Sequence, residues 1–148
     1  MADRKIKNIF VEGPVSSDFI AKSISNHSSK YEIGAHSIFL GQIRKDLVDG
    51  KAVRAIDYTA YEEMANEKCY LIRESAFEKY KLTCMHIYHS LGRVEAGEIS
   101  LFVFTSAAHR KEAMEACTYI VDRIKGELPV WGKELLDDES YVWKENKH

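Results

Sequence analysis

Between Tyr61 and Tyr80 the apolar residues settle into a period that suits a single kind of element. Tyr61, Met64, Ala65, Cys69, Ile72, Ala76 and Tyr80 recur at steps of three and four, which lines one side of an α-helix. The chain on either side reads differently. "GAHSIFLGQIR" and "AVRAIDYTAY" before it, and "LTCMHIYHSLG" and "EISLFVFTS" after it, are short runs rich in β-branched and aromatic residues, the composition of strands. A helix with one apolar side, set between strand pairs, must bury that side against a sheet. The fold class expected is therefore α+β.

The remaining segments extend this pattern. "IKNIFVEGPV" reads as a first strand ended by Gly13-Pro14, and "SSDFIAKSISNHSS" as a short helix with serine and aspartate at its start. Asp49-Gly50 is a turn signal, and we expect it at the tip of a long hairpin joining "GAHSIFLGQIR" to "AVRAIDYTAY". "RKEAMEACTYIVDRIK" is a third helix, with Ala113, Cys117, Ile120 and Ile124 on its core side. Gly126 and Pro129 should end it. The tail reads as partly extended, anchored by Trp131 and Trp143. Three main helices against a mixed or antiparallel sheet are expected, in one domain spanning 1–148.

Charge and cysteine usage exclude several functions. Lys plus Arg (21) nearly balances Asp plus Glu (23), so no overall field draws nucleic acid or an anionic membrane, and any anion site must be local. The basic start "MADRKIKNIF" lacks the apolar run of a signal peptide. Cys69, Cys84 and Cys117 are odd in number, far apart and without a CxxC, which reads as a reduced cytoplasmic protein with no metal site and with small, inert cysteines.

Four places hold candidate chemistry. In "VFTSAAHRKEA" a strand gives way to a helix, whose free N–H groups and dipole favour an anion. His109 and Arg110 are cations at the wrong end for the helix itself. Two readings stand, a surface arginine with a capping histidine or a pair that grips a phosphate. Arg44 closes a strand in which Gly41 marks a bulge or a close approach. Lys125 lies at the edge of the third helix's apolar side, as a snorkelling lysine or as an amine whose pKa is lowered by burial. Lys133 follows Trp131-Gly132. Arg110 and Lys125 are separated by about 22 Å at 1.5 Å per residue, so one small ligand reaches both only across two copies of the chain.

In that order and spacing, "GAHSIFLGQIR", "YTAYEEMA", "HSLGRVEAGEISLFVFTSAAHRKEA" and "IVDRIKGELPVWGKE" resemble the catalytic (large) subunit of molybdopterin synthase, from about Ile6 to Trp143. The resemblance implies an α/β-hammerhead fold and a homodimer at the centre of a heterotetramer, with a small ubiquitin-like sulfur-carrier subunit at each end. It implies a sulfurtransferase of molybdenum cofactor biosynthesis that converts cyclic pyranopterin monophosphate (precursor Z) to molybdopterin. The sulfur arrives as a thiocarboxylate on the carrier's C-terminal Gly-Gly tail, and no cofactor is needed. By the same resemblance Gln42, Ile43 and Arg44 line the substrate pocket, His109 and Arg110 hold the substrate phosphate, and Lys125 is the first of two pocket lysines.

The second lysine is where the chain departs from the family pattern. Pro-x-Trp-Lys is the usual text, and here Gly132 follows Trp131, with Lys133 one residue later. A one-residue step on an extended segment turns a side chain to the opposite face. We expect Lys133 to swing back through the freedom of Gly132, so that Lys125 and Lys133 share the amine chemistry. The alternatives are that Lys125 acts alone, or that the chain is a non-catalytic homologue that binds a phosphate ligand or docks the carrier. Thr59 stands where the family often has glutamate, and no role is attached to it.

Overall fold

Strand β6 (Ile99–Ala107) is the most deeply buried segment among the described residues, with Leu101, Phe102, Val103, Phe104 and Thr105 each at most 1% exposed. In the computed structural model, which describes residues 6–144, it lies between β2 (Ala35–Gln42) and β5 (Cys84–Glu95), antiparallel to both. A strand covered on both faces reads as a continuous apolar run rather than an alternation, which explains "ISLFVF". Residues 1–5 of the basic start and residues 145–148 of the tail lie outside the described residues.

Alternation along β6 sends its side chains to two cores. Leu101 and Val103 face α2 (Glu62–Lys79) and α3 (Arg110–Glu127), where they join Ala65, Cys69, Ile72, Cys117, Ile120 and Ile124. Phe102 and Phe104 face α1 (Ser17–Ser25), with Phe19, Ile20 and Tyr88 packed around them. Ser16 caps α1, its Oγ accepting from the Phe19 N–H at 3.1 Å, as the serine-rich start predicts. Thr105 uses its Oγ1 to donate to the Ala113 carbonyl at 2.7 Å, locking the first turns of α3 to the sheet.

Strand β5 is shared between two half-sheets. Its first half pairs with β6, and its last residues pair with β4 (Lys51–Ala60) from Gly92 onward, the φ of +77° at Gly92 bending the strand. Beyond β4 lie β7 (Val130–Leu136) and β8 (Tyr141–Trp143), both antiparallel, while β1 (Phe10–Glu12) runs parallel to β5. Three helices and eight strands among the described residues make the fold α+β, in the expected mixed sheet.

Three local expectations are corrected. β2 and β4 do not form a hairpin: β2 pairs with β6, and the Asp49-Gly50 turn joins β4 to a two-residue strand, β3 (Leu47–Val48). Both turn residues have positive φ (52° and 77°), the geometry of a tight two-residue hairpin, so Asp49-Gly50 does form a turn, with β3 rather than β2 as the partner of β4. Gly126 does not end α3, which continues to Glu127. Leu128, which precedes Pro129, is extended with ψ 132°, as a residue before proline prefers. Trp131 and Trp143 do not anchor a core, being 43% and 60% exposed. Gly41 behaves as expected, with a register shift between Gly41 and Gln42.

At the start of β2 the chain passes so close to Ala108 that a Cβ on Gly34 would collide with the Ala108 carbonyl oxygen, while the Gly34 N–H donates to the Ala107 oxygen at 3.0 Å. Gly34→Ala must therefore push β2 away from the junction that starts α3. We expect a loss of about 1–3 kcal/mol, read as a lower urea midpoint with an unchanged slope.

Candidate functional site

Where β4, β5 and β7 meet the last turn of α3, the half-sheets leave a cavity of about 210 Å³ lined by Tyr58, His89, Ser100, Lys125, Trp131, Gly132 and Lys144 among others. Its floor is polar but fixed. The His89 Nδ1–H donates to the Ser90 carbonyl at 2.7 Å, leaving Nε2 unprotonated in the neutral ring. Tyr58 packs edge-on to His89 at 5.1 Å between centroids. Burial is the main reason that the His89 pKa falls to about 4; the Ser90 bond opposes the shift and the Lys125 charge adds to it.

Lys125 is exposed by surface area, yet many protein atoms surround it. That desolvation, with the charge of Lys144 second, pulls its pKa below the ordinary lysine value. Such an amine gives up its proton more readily near neutral pH. Lys144 reaches the same cavity because its N–H donates to the Gly132 carbonyl at 2.8 Å, which fixes the end of the described tail beside β7. No cysteine lines the cavity. All three cysteines are buried and free; burial pushes the Cys69 thiol up to about 12 and raises that of Cys117.

The other sequence-predicted residues lie elsewhere. Lys133 points away from the cavity, its Nζ 4.6 Å from the centre of the Tyr141 ring and 5.9 Å from that of Trp143; the one-residue step does reverse the side chain, and Gly132 does not undo it. Gly132 itself is buried opposite Tyr58 in the β4–β7 ladder, and a Cβ there would come within 2.8 Å of Ile56 Cγ2. Ile43 is a core residue, 3% exposed among Val53, Ile56, Val94 and Leu136. Gln42 is exposed at the end of β2. Arg44 is 78% exposed and pairs with Asp46 at 3.2 Å. His109 and Arg110 stand exposed at the start of α3, with no side-chain cap and no ion pair among the described residues. Within one chain, then, Lys125 and Gly132 meet at the cavity, while Arg44, His109 and Arg110 are not part of its lining.

Comparison with known proteins defines the class. Residues 13–127 match the sequence model of the MoaE protein family. The molybdopterin synthase catalytic subunit of Oryza sativa subsp. indica is 41% identical over 122 residues, covering 82% of this chain and 62% of that protein. That of Pyrococcus abyssi is 37% identical over 120 residues, covering 81% and 80% respectively. Among solved structures, molybdopterin synthase from Staphylococcus aureus superposes with a TM-score of 0.81 at 27% identity, over 95% of this chain and 99% of that one. The chain belongs to the MoaE family. It spans a little under two thirds of the length of the rice relative.

Sequence reading missed His89 and Lys144. The "YHS" of β5 carries no spacing that separates a pocket histidine from a structural one, and Lys144 reaches the cavity only through β7–β8 pairing. His89 makes a testable demand on pH. Its folded pKa of about 4 lies below the unfolded value of about 6.5, so the unfolded chain binds the extra proton between them. Stability is full above about pH 6.5 and is lost as pH falls towards 4. His89 contributes on the order of 3 kcal/mol to that loss, and urea titrations of His89→Gln should show a shallower decline over this window than wild type.

Proposed function

We propose that the chain is the catalytic subunit of a molybdopterin synthase, a sulfurtransferase that turns cyclic pyranopterin monophosphate into molybdopterin with sulfur from a thiocarboxylated carrier protein. The observation that carries this reading is a cavity with two amines and no thiol. A pocket built for sulfur transfer without a sulfur of its own needs a partner to bring it. A thiocarboxylate at the end of an extended Gly-Gly tail is narrow enough for such a cavity and anionic enough for its lysines. The free cysteines agree with a reducing cytoplasm, and among the described residues no helix is long and apolar enough to cross a membrane.

In this reading Lys125 orients the thiocarboxylate and stabilises charge as its sulfur displaces an oxygen from a side-chain carbon of the pterin. A carbon–sulfur bond forms, the carbon–oxygen bond breaks with its electron pair leaving on the oxygen, and a thioester joins carrier and substrate. Water then cleaves the acyl carbon–sulfur bond, leaving sulfur on the pterin and a carboxylate on the carrier. Preorganised cations and positioning supply the rate. Lys144, rather than Lys133, is the second amine. Its place beside Lys125 makes good the lysine that Gly132 replaces, and this disfavours a non-catalytic homologue.

The substrate phosphate requires a second copy of the chain. Arg110 and Lys125 sit near opposite ends of the 18-residue helix α3, about 22 Å apart along its axis. In a two-fold dimer, His109 and Arg110 of one protomer complete the cavity of the other, with Arg44 at its rim.

The test is product formation from precursor Z and thiocarboxylated carrier. Lys125→Ala should lose at least about 100-fold in rate while still binding the carrier; wild-type turnover would overturn the assignment. Lys144→Ala should lose about ten-fold or more and Lys133→Ala less than about two-fold. The reverse order would return the second role to Lys133.

A further inference from the structure

On the α1 side of the sheet, away from the amine cavity, three potential metal ligands meet. Cys84 and His86 are two residues apart on β5 and so share a face. His27, just past the end of α1, comes down on the same spot. The Nε2 atoms of His27 and His86 are 3.0 Å apart, and with Cys84 Sγ all three donor atoms lie within 4.8 Å of one another. His27 and Cys84 are each 8% exposed. We infer that His27, Cys84 and His86 bind one divalent transition metal of the zinc class, with a solvent molecule as fourth ligand.

The chemistry of the donors favours this ion. Two imidazoles and a thiolate are a borderline-soft set that suits Zn²⁺ or Co²⁺ and not Mg²⁺ or Ca²⁺. In a tetrahedral zinc site two histidine nitrogens stand about 3.3 Å apart, so the observed 3.0 Å needs only a few tenths of an ångström of spreading. His27 is already held in the required tautomer: its Nδ1–H donates to the Ser23 carbonyl at 2.7 Å, which presents the Nε2 lone pair inwards, the arrangement common to metal-bound histidines. His86 turns its Nε2 towards that of His27, and its ring ligates through this atom once its proton sits on Nδ1.

One group competes with the metal. Lys30 Nζ lies 3.0 Å from Cys84 Sγ, where an ammonium partners the sulfur that a metal would take. Lys30 is exposed and can swing into solvent. Binding exchanges the thiol proton for a metal–sulfur bond, with no change of oxidation state. It would staple α1 to β5; α1 has no buried residue of its own. Cysteine spacing alone does not reveal this site, because it does not register two histidines brought in by the fold.

The full chain, stripped with a chelator and kept reduced with a phosphine, is titrated with Co²⁺ and then Zn²⁺. We expect one Co²⁺ per chain with a sulfur-to-cobalt charge-transfer band, displaced by Zn²⁺, and a higher Tm with Zn²⁺. Cys84→Ser should remove the band, and Cys84→Ser and His86→Gln should each weaken binding at least about ten-fold. Lys30→Ala, which removes the competitor and leaves all three ligands in place, should bind at least as tightly as wild type. Absence of the band in the wild-type chain, or wild-type affinity in His86→Gln, would overturn the site even if Cys84→Ser failed to fold.

Discussion

The fold depends on the pairing of β5 with β6. Six consecutive pairs, from Cys84–Ser106 to His89–Leu101, fix which side chains of the two strands face α2 and α3 and which face α1. A slip of one residue would exchange the two cores outright, placing Phe102 and Phe104 under the helices and the serines and histidines of the α1 side in the main core. Because β5 then bends at Gly92 and pairs with β4, the same register sets the position of the second half-sheet. The amine cavity lies at that seam, and His89, the last β5 residue paired with β6, lines it. The three-ligand cluster lies at the other end of the same strand.

The helices and strands were legible in the sequence because each carries its own period. The stripe from Ala65 to Ala76 in α2 and that from Ala113 to Ile124 in α3 are buried as read. The ends of the first stripe were less legible: Tyr61 and Met64 are 62% and 59% exposed, Tyr61 stacking edge-on with Trp131 at 4.7 Å. Strand pairing is the feature that local sequence specifies least. Neighbouring strands often pair, but here the buried run of β6 outcompetes β4 for β2, and no local signal ranks such long-range partners.

The site was legible to a similar degree. Lys125 was recognisable because a cation at the edge of an apolar helical face must be partly desolvated, and the structure shows that environment. Lys133 does not turn into the cavity because the β4–β7 ladder removes the freedom expected of Gly132, which is paired opposite Tyr58 and packed against Ile56. Lys144 could not be read at all, since its approach depends on a backbone bond to the Gly132 carbonyl. Two amines, those of Lys125 and Lys144, therefore line the cavity.

The central claim is that a complete site draws cations from two copies of the chain, with Lys125 from one and Arg110 from the other. Mixing chains carrying Lys125→Ala with chains carrying Arg110→Ala, each inactive alone, tests it most directly. In a two-fold dimer one of the two sites in every mixed pair is free of both substitutions, so activity should recover to about a quarter of wild type at random equal mixing. If mixed dimers form and the activity stays at the level of the separate variants, both cations belong to a single chain's site and the account fails.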